Sequence, residues 1–491
     1  MALDKDQISS KIWGLAWILM DDGVSTADYL EQLTFLLFLK MAYEKTKAPY
    51  FEESSIPQEY NWDTLQKLDG DDLEVQYRHT LEKLAKAEWM LGLIFRKSQN
   101  KISNPAKLKR IIQEIDKIEW NILWVDVKWE IYESLLAKVG EDTKSWAGQY
   151  FTPRSIIQAM VEVMQPSIET TVFDPCAGTG WFLLEAHDYI LKHDKNLDRD
   201  ELKKLKNGLI FWNELVPNTA RLAVMNMFLH GIGESESPIT VWDSLIKDSW
   251  ERYKIILTNP PFWKKSSDTF STESWKSAKN DTSIVRDDFW TTTSNKQLNF
   301  IQHIYTMLEI HGKAAVVLPD NVLFEWWAGE VIRKKLLHNC ELHTILRLPT
   351  WIFYANGVKA NVLFFDKKKA SETPHTKEVW FYDLRTNNHY SLKQNSLSLS
   401  DLQEFIECYQ PQNRHNRTET YTSETKDGRW RKYSYDEIIK RDKTSLDIFW
   451  IKDKTLEEAE NLPDPSVIAA DIMWDLENAL EMFQEIEWDL K

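Results

Sequence analysis

The sequence predicts an α/β protein: a mostly parallel sheet in the middle of the chain, an all-α domain before it and a helical tail after it. Three observations carry this. Apolar residues recur at three- and four-residue steps through much of 1–139. Short β-branched or apolar runs alternate with longer amphipathic stretches through 140–370, the pattern of strands joined by helices. The tail 466–491 carries Ile468, Ile472, Leu476, Leu480 and Phe483 on one face of an acidic helix.

In the N-terminal part, Tyr29, Leu30, Leu33, Leu36, Leu37, Leu39 and Met41 mark one helix, and 72–88 and 104–118 suggest others. No phosphate loop or ligand cluster lies here, so 1–139 reads as a packing domain. In the middle, strands are expected at Thr171–Phe173, Leu209–Phe211, Ile239–Val241, Ile255–Leu257, Ala314–Leu318, Thr344–Leu348 and Val362–Phe365. Sheets of this kind bind ligands beyond the carboxyl ends of their strands. A C-terminal extension, 371–465, holds a strand-like Val379–Asp383 and a loop over Gln410–Asp427. The tail helix packs either on its own domain or on a partner.

Composition narrows the function. The chain has 491 residues, 43% hydrophobic and 28% charged, as in a globular protein with a sizeable core. No apolar run approaches the ~20 residues that span a bilayer, and Met1–Lys11 does not read as a secretory signal. Cys176, Cys340 and Cys408 are too widely spaced for a disulfide framework or a zinc site, and the eleven histidines show no ligand spacing. No metal is expected, and a reducing cytoplasm is the simplest home. Net charge is −16. A chain that grips DNA alone presents basic surface, because phosphate contacts supply most non-specific affinity. If DNA is the substrate, a local cleft or a partner must hold it.

The chemistry lies at the expected strand ends. Asp174-Pro175-Cys176-Ala177-Gly178-Thr179-Gly180 follows one strand and precedes a helix. Glycines in such a turn let the backbone approach a ligand and open a helix N-terminus towards it. Asp174 suits the cationic amino-acid end of S-adenosylmethionine. Glu214 ends the next strand, placed to accept hydrogen bonds from ribose hydroxyls, and Asp243 ends the one after, placed to accept from the adenine amino group of the cofactor. Each acid alone is an ordinary loop residue; three in order at successive strand ends are a site. Upstream, Gln149-Tyr150-Phe151-Thr152-Pro153-Arg154 combines aromatic and polar groups that can close over the methionine part. By itself it is a helix start, with Thr152 as cap and Pro153 at the first position.

The last motif, Asn259-Pro260-Pro261-Phe262, follows the strand Ile255–Leu257. Adenine N6 is a poor nucleophile because its lone pair is delocalised into the ring. An Asn side-chain oxygen and a prolyl carbonyl can each accept one amino hydrogen, freeing the lone pair for in-line attack on a sulfonium methyl. Prolines fix this backbone at φ near −65°, and Phe262 offers a stacking face for a base extruded from the duplex. Attack is direct, so Cys176 is not needed as a nucleophile.

Together these residues resemble the modification (methyltransferase) subunit of type I restriction–modification systems, in the gamma order of N6-adenine methyltransferases: Gln149–Arg154, Asp174–Gly180, Glu214, Asp243, then Asn259–Phe262. Arg286–Trp290, Leu318–Phe324, Gly357–Val362 and Leu462–Pro465 also resemble the family. The resemblance implies a Rossmann-like S-adenosylmethionine-dependent methyltransferase domain over 140–370. It implies two modification subunits on one specificity subunit that selects the DNA target, and a restriction subunit that can join them. The tail 466–491 would help dock the specificity subunit, and that partner would account for the acidic charge. Two other readings compete: methylation of RNA adenine or protein glutamine, and a scaffold impaired in catalysis.

Trp181 stands beside the cofactor turn and Trp263 beside the base, where the family has glycine. Trp146, Trp212, Trp242, Trp326, Trp327 and Trp351 likewise stand where a small residue is expected, in a chain with 23 tryptophans and only 15 glycines. Decoding of UGA glycine codons as tryptophan explains both numbers together. Trp13, Trp290, Trp380, Trp430 and Trp450 fit their contexts as genuine tryptophans.

Overall fold

The computed structural model describes residues 14, 26–48, 51, 53–118, 120, 152–233, 239–262, 283–350, 352–353, 358–388, 390, 395–452, 472–473, 476 and 480. The chain forms two compact units: Met1–Ala147 with Arg221–Ser237, and Gly148–Ala220 with Pro238–Lys491.

The first unit is helical among its described residues, with helices at Thr26–Lys45, Trp62–Lys67, Gly70–Leu84, Trp89–Phe95 and Pro105–Asp116. Local chemistry starts them. The Asn61 and Asn104 side chains accept from the free amides of Thr64 and of Ala106 and Lys107, and Pro105 occupies a first-turn position that needs no N–H. In the last helix Leu108, Ile111, Ile112 and Ile115 are buried at three- and four-residue spacing. Asp116 then accepts from Lys40 Nζ at 2.8 Å and from the Trp62 indole at 2.9 Å, so a carboxylate within the packing is hydrogen-bonded rather than stranded.

The second unit is built on one nine-stranded sheet. Its strands are β1 (Val172–Asp174), β2 (Ile210–Glu214), β3 (Ile239–Val241), β4 (Tyr253–Thr258), β5 (Leu308–Pro319), β6 (Cys340–Arg347), β7 (Ala360–Lys367), β8 (Glu378–Asp383) and β9 (Trp430–Ser434). The order is β3-β2-β1-β4-β5-β7-β6-β8-β9. Each strand expected in the middle of the chain is present. β1 to β5 pair in parallel, and β7 runs antiparallel between β5 and β6. The run Ala360–Asp366 is buried throughout, as a strand covered on both faces must be. β8 pairs in parallel with β6 and β9 antiparallel with β8, so the sheet continues into the stretch expected as a C-terminal extension.

Parallel pairing aligns the carboxyl ends of β1, β2, β3 and β4 along one edge of the sheet, which puts Asp174, Glu214, Asp243 and Asn259 there. The tryptophans divide. Trp212 is buried with its indole N–H unpartnered, whereas Trp250, not singled out by sequence, is 83% exposed at φ +67°. Trp327 has φ +48° and ψ −107°, outside the left-handed helical region that L residues occasionally visit. Trp146, Trp263 and Trp351 lie outside the described residues.

Candidate active site

The turn after β1 needs its glycines. Gly178 and Gly180 have φ of +57° and +87°, and Gly180 immediately precedes the helix Trp181–His193. Neighbouring strand ends hold the turn from below. The Gly178 N–H donates to Glu214 Oε2 at 2.9 Å, while Oε1 accepts from Val216 N–H at 2.8 Å. The Ser244 hydroxyl donates to the Pro175 carbonyl at 2.6 Å and accepts from the Asn213 amide at 3.1 Å. Arg286, paired with Asp288 at 2.7 Å, donates to the Ser244 carbonyl at 3.2 Å.

Above the turn is a cavity whose lining includes Thr152, Asp174, Cys176, Gly178, Trp181 and Asn259. Asp174 Oδ1 accepts from the Thr258 hydroxyl at 2.5 Å and from Cys176 N–H at 3.0 Å. Its Oδ2 is buried with no protein partner. Burial, the largest influence, pushes the Asp174 carboxyl up to about 7; the Glu214 charge adds to this and the hydrogen bonds oppose it. Burial also pushes the Cys176 thiol well up, and its sulfur lies 2.9 Å from Thr258 Oγ1.

Asn259 closes the other side. Its amide Nδ2 donates to Thr152 Oγ1 at 2.8 Å, and its Oδ1 is buried without a partner. Two residues of the cavity lining therefore each carry a buried, unpaired oxygen acceptor, one a carboxylate and one an amide. Buried acceptors of this kind each carry a desolvation cost of about 1–3 kcal/mol unless something donates to them. The carboxylate fits a cation and the amide fits an amino group.

The other expected residues fall in different places. Thr179 is buried in the turn, and Trp181 is 7% exposed with the Arg154 guanidinium 4.3 Å above its ring. Glu214 and Asp243 do stand at strand ends but do not line the cavity. Glu214 is committed to two backbone amides, and Asp243 Oδ1 accepts from Leu245 N–H at 2.9 Å. Phe262 is 3% exposed and meets Phe353 edge-on, ring centres 5.8 Å apart at 71°. Gln149, Tyr150 and Phe151 lie outside the described residues; Pro153, not Thr152, is the cap residue of the helix Arg154–Met164, with no side-chain cap, and the Thr152 hydroxyl accepts from Asn259 instead. Thr258, Ser244 and Phe353 were not foreseen. Only Thr258 carried a signal, as the strand residue next to Asn259.

A sheet whose parallel strands β1, β2 and β3 carry acidic residues at successive carboxyl ends, beside a cavity, defines the class: an α/β methyltransferase fold. The chain belongs to the N-6 DNA methylase family, whose model matches residues 125–449, and a model of the HsdM N-terminal domain matches 8–115. It is 37% identical to the StySPI type I restriction enzyme methylase subunit of Salmonella potsdam, over 97% of this chain and 94% of that one. It is 36% identical to the EcoKI methylase subunit of Escherichia coli K12, with the same coverage. Among solved structures, the EcoKI M protein aligns over 98% of this chain and 96% of its own, at 33% identity and a TM-score of 0.54. A modification subunit of a putative type I restriction enzyme from Vibrio vulnificus shares the fold, with a TM-score of 0.67 at 23% identity over 89% of this chain and 94% of its own.

Proposed function

We propose that this chain is the modification subunit of a type I restriction–modification assembly and transfers a methyl group from S-adenosylmethionine to N6 of adenine in DNA. The observation that carries the reading is that Asn259 and Asp174 line one cavity and each keeps a buried oxygen, Oδ1 and Oδ2, with no partner. When bound, S-adenosylmethionine supplies an electrophilic methyl group. Asp174 Oδ2 holds its cationic end, and the glycine turn keeps side chains out of the way. Asn259 Oδ1 accepts one hydrogen of the adenine amino group and the Pro260 carbonyl the other, localising the nitrogen lone pair for attack. Phe262 is assigned to stacking on the extruded base, a role for which its ring, 3% exposed against Phe353, must first be uncovered. Glu214 acts through the turn as much as on the ribose, because it carries the Gly178 amide.

The assembly is that of two modification subunits with one specificity subunit and DNA, which a restriction subunit can join. Supporting it, Ile472, Met473, Leu476 and Leu480 are helical and 54–63% exposed, an apolar stripe of the kind a partner covers. The net charge of −16 also favours a partner that supplies part of the DNA grip.

The decisive variant is Asn259→Ala in the complex with the specificity subunit. N6-methyladenine formation, read by methylation-sensitive sequencing, should fall about 10³-fold or more. S-adenosylmethionine affinity should stay within about threefold, because the Asp174 side of the cavity is untouched. Equal loss of both would make Asn259 a structural residue and sink the assignment.

A further inference from the structure

An asparagine that activates an amine must present its oxygen. The two ends of the amide are nearly the same size, so shape alone does not decide which faces the substrate. The wrong face sets an NH2 group against another NH2 group, and nothing accepts the adenine hydrogens. What sets the orientation is the hydrogen bond at the far end of the amide.

We propose that Thr152 is a positioning residue for Asn259: its hydroxyl oxygen accepts from Nδ2 and thereby aims Oδ1 into the cavity. The contact is 2.8 Å long and joins residues 107 apart in sequence. Pro153, at φ −52° and ψ 134°, turns the chain from Thr152 into the helix Arg154–Met164. The Pro153 carbonyl accepts from the Ile156 and Ile157 amides at 3.0 and 3.2 Å, which anchors the threonine backbone to the first helical turn. A threonine oxygen that accepts from Asn259 still has its own proton to donate, and Thr152 also lines the cavity. The residue expected from sequence to serve the cofactor thus also holds the amine-activating group.

The inference rests on the N6-methylation reading, and the experiment separates the two. Thr152→Val keeps the shape and removes the acceptor; Thr152→Ser keeps the acceptor. In the full complex, Thr152→Val should lower kcat for N6 transfer about tenfold or more, the worth of a lost buried hydrogen bond. A melting temperature within a few degrees of the parent shows that the variant is folded, and any rise in the dissociation constant for S-adenosylmethionine, measured by calorimetry on the same sample, should be smaller than the loss in kcat at saturating cofactor. Thr152→Ser should restore kcat to near the parent value. The proposal is overturned by an unchanged kcat in Thr152→Val, by weakened cofactor binding that accounts for all the loss, or by no rescue with serine. If the parent complex binds the cofactor yet forms no N6-methyladenine, the functional reading itself falls, and the role of Thr152 with it.

Discussion

Two helices of the sheet-bearing unit begin after a residue with positive φ, and the two starts differ in one respect. Trp181–His193 begins after Gly180, at φ +87°, and Ala328–Asn339 after Trp327, at φ +48° and ψ −107°. Neither start has a side-chain cap, so the backbone conformation alone makes the turn. At the first, glycine adopts it without steric cost and the turn opens on the cavity. At the second, a 57% exposed indole occupies a conformation that costs an L residue about 1–3 kcal/mol. The fold asks for glycine at both, and only the cofactor turn has it. That is the structural counterpart of a chain rich in tryptophan and poor in glycine, and it favours decoding over adaptation.

The contrast can be broken most severely at the cofactor turn. Gly180→Val places a β-branched residue at φ +87° and should lower S-adenosylmethionine affinity about 100-fold, with a melting temperature several degrees lower. A variant that binds normally would show that the turn's conformation does not matter to the cavity.

Next in size is Asp174→Asn, which removes the charge and keeps the shape. Affinity for S-adenosylmethionine should drop about 10- to 100-fold, the range of a charge-assisted hydrogen bond. The parent protein should also show a pH dependence that this variant lacks. A cation needs the ionised carboxyl, and burial has raised that group to about 7, so binding weakens as pH falls through about 7. The stability of the empty protein moves the other way. A carboxyl raised above its unfolded value favours the protonated fold, so its contribution improves as pH falls through the same range. Calorimetric titrations and melts across pH 6 to 8 distinguish the two signs; flat binding in the parent would remove Asp174 from the cofactor's cationic end.

The smallest effect belongs to the second turn. Trp327→Gly should leave cofactor affinity unchanged and raise stability by about 1–2 kcal/mol, a shift of a few degrees in Tm. The gene offers the same test without protein: UGA codons at 250 and 327 would support decoding, whereas UGG there would leave the strain as a property of the chain.

Much of the site was legible before any coordinates. The strands are short β-branched runs, and the candidate residues stand at or just after their ends, so reading the strand ends placed Asp174, Glu214, Asp243 and Asn259 on one edge of the sheet, of which Asp174 and Asn259 line the cavity. The roles were less legible than the positions. Glu214 is a carboxylate at a strand end in either case; only the packed turn shows its oxygens taken by Gly178 and Val216. Phe262 was expected to offer a face, yet its burial against Phe353 depends on a loop some ninety residues later. β8 and β9 looked separate from the catalytic domain because pairing across a long connection leaves no local periodicity to read.

By itself, then, the sequence determined which residues stand at the carboxyl ends of β1 to β4, because strand alternation and turn chemistry act over a few neighbouring residues. The tertiary structure alone decided that β7 inserts antiparallel between β5 and β6, that Asp174 loses enough water to hold its proton near neutrality, and that Thr152 aims the Asn259 amide. Each of these depends on groups brought together from distant parts of the chain, where burial and hydrogen-bond partners are set by packing and not by spacing.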